Sequence, residues 1–464
     1  SIASGGNYNT VVGDEAGTAI TTGDRNTFIG YGSGVANDTG IYNTFVGSHT
    51  GTVHTVGYNN VAIGNDAFAS DVSSRGCVAI GSGALTTQDS GTNVNAFNTA
   101  VGAQAGGAVT TGIVNTYLGG KAGLANQVGH NNVALGYNAL LTDSHGSQSV
   151  AVGVGALQVQ DNGTTATNFL NTAVGYSAGV AVSTGVQNTF VGANAGLSTT
   201  SGNFNTFLGL DAGEFATTAD GSVFVGWQAG QGITGTKLTG NNNTAVGKDA
   251  GLLLQGAAAQ NVLIGTQAGD ALTTGAENIL IGMRAGSHNI SLQTGSNNIC
   301  IGSYSDVPAT DTDNAIAIGY DVAGVGGFTT VGNSTDDIRA AHGTATWAAV
   351  SDERYKKDIV DSTAGLSFIN ALQPRTFKYK TLGELPEAFN AYKADSTEVF
   401  KNSDTNHGFI AQEVKTAIDA DSGIKDGFKL WAERPDGGQE LAEAALIPML
   451  TKAVQELSTA LDAA

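Results

Sequence analysis

The stretch "NTFVGANAGLSTTSGNF", residues 188–204, is one complete copy of a motif that restarts at once with "NTFLG", residues 205–209. Each copy has a leading Asn, three residues that are apolar or Thr, and a glycine, called here the strand glycine. The strand glycine recurs 17 times from Gly13 to Gly302, most often at a step of 17 residues. A short fixed period of this kind is typical of solenoid proteins, in which each copy forms one coil.

The three residues before each strand glycine have the pattern of a short strand. The last of them is Val, Ile or Leu in every copy, and the middle one is always apolar. Neighbouring residues of a strand point to opposite faces, so both faces of this strand favour burial. One face can be buried in the core of the chain itself, whereas the other needs a partner. The pattern therefore predicts a parallel β-roll or β-solenoid that assembles as an oligomer.

The remaining positions of the motif predict corners and a ladder. The strand glycine, the small residue three places later and the usual "TTG" are typical of tight turns. The leading Asn, present in 14 of the 17 copies, is expected to stack into a ladder of amides that bond to one another and to the turn backbone. A residue type that recurs on every coil favours a structural role over a catalytic one.

Three insertions interrupt the period at regular intervals. Each follows a copy in which the leading Asn is replaced, by Cys77, Ser149 or Ser222, which indicates a second-order repeat of four coils. The longest corners, residues 86–97, 158–170 and 231–242, are candidates for surface recognition, and spacer loops are the alternative.

A resemblance supports the β-roll. "NNVAIGNDAFA" (59–69), "CVAIGSGAL" (77–85) and "NNVALGYNAL" (131–140) resemble the head repeats of trimeric autotransporter adhesins. The resemblance covers about residues 7–325 and implies a left-handed parallel β-roll packed as a trimer, although the 17-residue period is longer than the repeat usual in those heads.

The composition changes at "SDERYKKDIV", residues 351–360. Residues 1–350 hold 7 Lys/Arg and 21 Asp/Glu, whereas residues 351–464 hold 13 and 19 in a third of the length. We therefore predict a β-roll shaft or head over 1–325, a neck over 326–350 and a small α-rich (α+β) domain over 351–464. Helices are predicted over 362–372 and 407–420 and a strand over 375–380. The final helix has an apolar heptad seam that consists of Ile447, Leu450, Val454, Leu457 and Leu461.

A second resemblance assigns this domain. "SDERYKKDI", "LQPRTFKYK", "HGFIAQEV" and "LIPMLTKAVQEL", in this order over about 110 residues, resemble the C-terminal intramolecular chaperone domain of phage endosialidases, tailspikes and tail fibres. The resemblance implies that the domain promotes trimerisation and then cuts itself off. It places the scissile bond at Val350–Ser351, with Ser351 as the nucleophile and Lys356 as its catalytic partner.

The chemistry of this pair can be weighed on the residues alone. A serine hydroxyl needs a base to become a useful nucleophile, and a lysine, whose reference pKa is ~10.4, can serve only in its neutral form. Positions i and i+5 do not share a face of a regular helix. Contact between Ser351 and Lys356 thus requires a non-helical segment or a second subunit. The structural alternative is that Ser351, followed by Asp352 and Glu353, is a helix N-cap.

Other features of the sequence exclude several classes of function. A net charge of −20 disfavours nucleic-acid binding, and no apolar run is long enough for a transmembrane helix. The chain does not begin with Met, so an upstream part is expected. Cys77 and Cys300 are predicted to be free and buried. Aspartates 306, 311 and 313 invite a cation site, but loop acids are preferred; no metal or cofactor is predicted, and His407 is not assigned to the catalytic pair.

Together these observations predict a structural, homotrimeric fibre or spike segment of a bacteriophage virion, made in the host cytoplasm and acting outside the cell in host attachment. The expected partners are a host cell-surface glycan or protein receptor and upstream tail proteins. Enzyme activity is limited to self-cleavage. One alternative is a trimeric autotransporter-type surface adhesin. Another is a glycan-degrading enzyme carried by the fibre, for which the acids Asp14, Asp66, Asp211 and Asp249 are taken to be too scattered.

Overall fold

The computed structural model of the chain describes residues 5–91, 94–334, 336–344, 348–349, 351, 353–425 and 428–463. Contacts between residues divide it into two compact units, Ser1–Val350 and Ser351–Ala464. Each unit is described by itself.

The first unit is a β-solenoid in which nearly every coil contributes one short strand. The strands that follow the repeat are β1 (Thr10–Val12), β2 (Thr27–Ile29), β3 (Thr44–Val46), β4 (Val61–Ile63), β5 (Val78–Ile80), β6 (Thr99–Val101), β7 (Thr116–Leu118), β8 (Val133–Leu135), β10 (Val150–Val152), β12 (Thr172–Val174), β13 (Thr189–Val191), β14 (Thr206–Leu208), β15 (Val223–Val225), β16 (Thr244–Val246), β17 (Val262–Ile264), β18 (Ile279–Ile281), β19 (Ile299–Ile301) and β20 (Ile316–Tyr320). Two more short strands, β9 (Gly146–Ser147) and β11 (Thr167–Asn168), pair with each other beside one insertion.

Each repeat strand pairs in parallel with the strand of the next coil, in the register that the repeat predicts. Thr189, Phe190 and Val191 lie opposite Thr206, Phe207 and Leu208, so equivalent residues of successive coils stack directly over one another. The predicted parallel β-solenoid of 17-residue coils is confirmed.

The strand centre and its neighbours have opposite environments. The central residue is fully buried in the interior of the coil, as for Phe190 and Ala134. The residues on either side of it face outward, and many of these aliphatic side chains are more than a third exposed in the single chain, among them Ile29, Leu135 and Leu208. The outer face of the sheet is therefore an apolar surface that a single chain leaves uncovered.

Left-handed backbone closes each coil. The strand glycine adopts φ near +135°, as at Gly192 (φ +133°), where a Cβ atom would collide with the carbonyl oxygen of Gly209 in the next coil. Two further corners lie two and four residues later, at Asn194 (φ 57°) and Gly196 (φ 62°) in the same coil. At the first corner a side chain would collide with the backbone of the next coil, which is why glycine is invariant there, whereas the second corner accepts other residues such as Asn194.

The leading asparagines form the expected ladder inside the solenoid. The Asn188 backbone N–H donates to Asn171 Oδ1 at 2.9 Å, and Asn188 Nδ2 donates to the Gly202 carbonyl at 2.8 Å. Asn205 repeats both bonds one coil later. Because these side chains are buried, the bonds satisfy backbone groups that water cannot reach.

The ladder is repaired where the leading Asn is missing. In the coils that start with Cys77 and Ser149, the next Asn lacks its usual Asn neighbour. The side chain of Gln88 accepts a bond from Asn98 Nδ2 at 2.6 Å, and Gln160 accepts one from Asn171 Nδ2 at 2.8 Å. The insertion after each of these coils is thus accompanied by a buried glutamine that bridges the gap.

Residue volume is exchanged between two positions of the same coil. The six aromatic strand centres are each accompanied by glycine six residues later, and four alanine centres by a large side chain there, whereas Ala100, Ala173 and Ala245 are followed by glycine. The first arrangement occurs at Phe28 with Gly34, Phe45 with Gly51, Tyr117 with Gly123, Phe190 with Gly196, Phe207 with Gly213 and Phe224 with Gly230; the second occurs at Ala62 with Phe68, Ala79 with Leu85, Ala134 with Leu140 and Ala151 with Leu157. One interior space is therefore filled from either side of the coil.

This exchange predicts a rescue between two substitutions. A Cβ atom on Gly196 would lie 2.6 Å from Cδ1 of Phe190, so Gly196→Leu should cost about 1–3 kcal/mol of overpacking. Phe190→Ala alone should cost about 3–5 kcal/mol. The double variant recreates the Ala134 and Leu140 arrangement and should lose much less than the sum in guanidinium unfolding. Additive losses would contradict the exchange.

The solenoid ends in a change of strand direction. Strand β21 (Phe328–Asn333) still pairs in parallel with β20, but β22 (Asp336–Ala341) pairs antiparallel with β21 and β23 (Ala348–Ala349) antiparallel with β22. The residues predicted as a neck therefore extend the same sheet as a hairpin.

The second unit is small and mixed. Its α-helices are α1 (Leu366–Ala371), α2 (Ala411–Ala420) and α3 (Ile447–Asp462), with 3-10 turns at Glu353–Tyr355, Leu382–Glu384 and Glu443–Leu446. Two antiparallel pairs accompany them, β24 (Arg375–Phe377) with β25 (Asn406–Gly408) and β26 (Trp431–Glu433) with β27 (Gln439–Leu441). Its core contains Ala364, Phe368, Val414, Ala417, Ile418, Leu430 and Leu446.

Within the described part of the chain, no helix combines the length and apolar character that crossing a membrane requires. Cys77 and Cys300 are free and buried, as predicted, and burial raises the pKa of each thiol to about 12.

Candidate processing site

The first residues of the second unit bring Ser351 and Lys356 into contact. A short 3-10 turn, Glu353–Tyr355, follows Ser351, and the Lys356 backbone N–H donates to the Glu353 carbonyl at 2.9 Å. The turn directs the lysine side chain back, so that Lys356 Nζ donates to Ser351 Oγ at 2.8 Å. Asp358, in left-handed backbone with φ 54°, follows the turn.

This geometry answers the question that the i to i+5 spacing raised. A continuous α-helix would separate the two side chains, but a single 3-10 turn has three residues per turn and is not continued here. The contact is made within one chain. Val350, the other side of the predicted scissile bond, lies outside the described residues.

The contact has the length needed for proton transfer. With a protonated amine, Nζ donates to the hydroxyl, as the structure records. With a neutral amine, the same 2.8 Å separation lets the hydroxyl donate to nitrogen, which is the arrangement in which a lysine acts as a general base. The pair is therefore placed to act as a serine nucleophile and its base.

In the single chain, the Ser351 and Lys356 side chains are accessible to solvent. Ser351 and Lys356 are both exposed, and the nearby Ile359 and Val360 have 62% and 85% of their surface accessible. A lysine becomes neutral, and hence basic, when water is excluded from around it. The single chain therefore brings the two side chains together but does not exclude water from them.

Helix α3 also leaves an apolar surface uncovered. The five residues of its heptad seam are 46–78% exposed; they are Ile447, Leu450, Val454, Leu457 and Leu461. A neighbouring face of α3 packs on α1, where Ala453 is buried. The seam is thus not needed for the packing of the unit itself.

One residue that holds these helices together was missed by sequence reasoning. Glu456 Oε2 on α3 accepts the Leu366 backbone N–H at the start of α1, at 2.7 Å. A Cβ atom at Gly365 would lie 2.5 Å from that oxygen, so a larger residue there would displace the carboxylate from this contact. Partners 90 residues apart give no local signal in the sequence.

Two of the three acids considered for a cation site, Asp306 and Asp313, accept hydrogen bonds from the backbone. Asp306 is buried, and its carboxylate accepts the backbone N–H groups of Asn289 and Ile290 at 2.6 and 2.9 Å. No group of three or more potential metal ligands occurs among the described residues. His407 lies on β25 with Nδ1 3.2 Å from Thr376 Oγ1.

The view that the shaft acids hold no fixed repeat position was wrong for three of the four. Asp66, Asp211 and Asp249 all lie two residues after a strand glycine, at the second left-handed corner, with φ 56–57°. Aspartate tolerates this backbone better than most residues. Their shared position indicates a role in turning the corner, and Gln228 separates the nearest two along the stack.

The comparison with known families agrees with this geometry. A family model described as "Chaperone of endosialidase" matches residues 351–422, so the match starts at Ser351 and includes Lys356. No curated protein and no solved structure matches the chain. The molecule is thus a β-solenoid body followed by a unit that is similar, over residues 351–422, to the endosialidase chaperone family.

Proposed function

We propose that this chain is a structural segment of a bacteriophage tail fibre or spike that assembles as a homotrimer for host attachment. Its C-terminal unit acts as an assembly chaperone and then releases itself by cleaving the Val350–Ser351 bond. A β-solenoid joined to an endosialidase-type chaperone unit is the combination that supports this assignment.

The observation that carries the proposal is the exposed seam of α3. Two heptads with exposed apolar side chains at every a and d position form a surface made for other helices of the same kind. Three copies of α3 that associate through this seam would hold three chains together at one end. Local concentration would then favour pairing of the three shafts in the correct register.

The shaft needs such help because of its topology. A parallel solenoid is built from contacts between residues at least a coil apart, and while incomplete it exposes an unpaired strand edge and its apolar outer face. Both surfaces promote aggregation of partly folded chains. A chaperone unit that associates first shortens the time for which they stay unpaired.

Cleavage follows from the same assembly. Ser351 Oγ would attack the Val350 carbonyl carbon and pass its proton to a neutral Lys356; the C–N bond would break as the new Ser351 α-amine took a proton. Water would then hydrolyse the ester between the shaft and Ser351 and free the unit. Packing of the exposed segment around Ile359 and Val360 against neighbouring subunits would exclude the water that keeps the amine charged.

Refolding distinguishes a chaperone from a passive appendage. The Ser351→Ala chain keeps its C-terminal unit, so after denaturation in guanidinium and dilution it should return to a trimer. The parent shaft, once residues 351–464 have been removed, should aggregate under the same conditions, because nothing sets the register of its three chains.

The measurement is sedimentation of both samples before and after the cycle. The control is a Ser351→Ala sample cut afterwards near residue 350 by an added protease, which should also fail to refold. Equal recovery of trimer with and without the C-terminal unit would remove the chaperone part of the proposal.

A further inference from the structure

The interior of the shaft contains a column of buried polar side chains. The column, called here the interior column, consists of the polar residues found seven places after the strand glycine; in other coils the same position is apolar, as at Ile20, Val109 and Val182. Three successive coils place His54, Asp71 and Gln88 in the column. Four coils later, Asn126, Asp143 and Gln160 occupy the equivalent positions. All six are at most 2% exposed. Such groups are costly to bury unless each is paired.

The first aspartate of the column has a basic partner. Asp71 Oδ1 accepts the Ser74 backbone N–H at 2.9 Å and lies 3.0 Å from Nδ1 of His54, one coil earlier. The thiol of Cys77 also faces Asp71. A buried carboxyl beside an imidazole can share charge with it.

The second aspartate has the same backbone contact but a different neighbour. Asp143 Oδ1 accepts the Gly146 backbone N–H at 2.6 Å, and Asp143 Oδ2 accepts Gln160 Nε2 at 2.7 Å. Where the first copy has His54, this copy has Asn126, which is neutral. The titratable groups that face Asp143 are His145 in its own coil, Asp161 one coil later and Tyr117 one coil earlier.

Asn126 contributes an unused acceptor. Its Nδ2 donates to the Gly146 carbonyl at 3.4 Å, but its Oδ1 is buried without a hydrogen-bond partner. A buried acceptor that lacks a donor is rare and costs free energy. In the equivalent place of the first copy, the imidazole of His54 fills the gap above the carboxyl.

We infer that Asp143 is a proton-binding site inside the shaft, and that its protonated carboxyl donates a hydrogen bond to Asn126 Oδ1. The proton satisfies the orphan acceptor and removes a buried charge at the same time. It comes from solvent during folding or local opening of the coil. The site lies within one chain, so the inference holds whether or not trimerisation and self-cleavage are found.

The direction of the resulting pH dependence follows from burial. Desolvation raises the pKa of Asp143 from its ordinary 3.8 to about 6. A carboxyl whose folded-state pKa is raised contributes its full stability below its unfolded pKa and loses it as the pH rises through the folded value. Between acidic and neutral pH this group alone should increase the unfolding equilibrium constant on the order of 100-fold.

The experiment compares guanidinium unfolding of the full chain with that of Asp143→Asn at about pH 4.5 and pH 7.5. The variant should match the parent at the acidic pH and exceed it in unfolding midpoint at the higher pH. Asp14→Asn, which removes an exposed carboxyl from the same shaft, is the control and should show no such difference. A parent and an Asp143→Asn variant that differ equally at both pH values would overturn the inference.

A second variant, Asn126→His, and an infrared measurement of the carboxyl test the inference even if one variant fails to fold. Asn126→His recreates the arrangement of His54 and Asp71, so it should abolish the extra stability at acidic pH. Infrared spectra of chains with 13C-labelled aspartate should contain the band of a protonated buried carboxyl near pH 5, and Asp143→Asn should remove it. Absence of that band from the folded parent would contradict the assignment even if Asn126→His failed to fold.

Discussion

Replacing Ser351 by alanine should leave the chain at its full 464 residues, whereas the parent chain should lose residues 351–464 after assembly. The hydroxyl that Lys356 Nζ contacts at 2.8 Å is the proposed nucleophile, and alanine has no atom that can replace it. Intact-mass analysis of freshly made protein measures this directly. Ser362→Ala, which removes another exposed hydroxyl from the same unit, is the matched control and should be cleaved normally.

The role of Lys356 as a base can be tested without removing the positive charge at this position. Lys356→Arg keeps a cation at this place but cannot become neutral in a protein, so it should abolish cleavage as completely as Ser351→Ala. Lys357→Arg makes the same change at the adjacent residue and should have little effect on cleavage. Normal processing of both Ser351→Ala and Lys356→Arg would place the reaction elsewhere.

Two glutamates in the seam of α3 should leave the chain monomeric and uncut. Val454 and Leu457 are 64% and 52% exposed, so Val454→Glu with Leu457→Glu should not disturb the core of the unit. In a helical assembly, however, the same positions would bury six carboxylates in three chains, which is prohibitive without partners. Sedimentation should show monomer in place of trimer, together with aggregated shaft.

The loss of cleavage in that variant is the more informative result. It would show that the Ser351 and Lys356 pair, although formed within one chain, reacts only when neighbouring subunits cover it. Gln455→Glu with Thr459→Glu adds the same charge to exposed positions outside the seam and should assemble and cleave as the parent does. A seam variant that still forms trimers would show that α3 does not hold the chains together.

Much of the shaft could be predicted because its features repeat. A leading Asn seen once is ambiguous, but on 14 coils it can only be a ladder, and the bonds of Asn188 to the coils on either side have that form. Apolar residues on both sides of the strand likewise predicted one buried face and one face in need of a partner. Repetition averages out the local exceptions that make single segments ambiguous.

Features that depend on three-dimensional neighbours could not be predicted. Phe190 is paired with Gly196, and Ala134 with Leu140, because the two positions of each pair fill one interior space. The sequence does not show that these positions share a space. The contact between Glu456 and the start of α1 joins residues far apart in the chain. The turn that brings Lys356 to Ser351 lies in a segment too short and too charged to have a recognisable period.

The Asn ladder has a consequence for how such a shaft can change in evolution. Each leading Asn binds the coil before and the coil after through contacts that are the same at every unbroken step. Deleting residues 188–204 would therefore join Asn205 to the preceding coil with the bonds that Asn188 makes now. Gain or loss of whole repeats can lengthen or shorten the shaft by coils of ~4.8 Å. The length of the shaft is thus adjustable in steps of one coil. Insertions of other lengths are accommodated at the corners, as in the longer steps to β6, β12 and β16, where the strand register is kept.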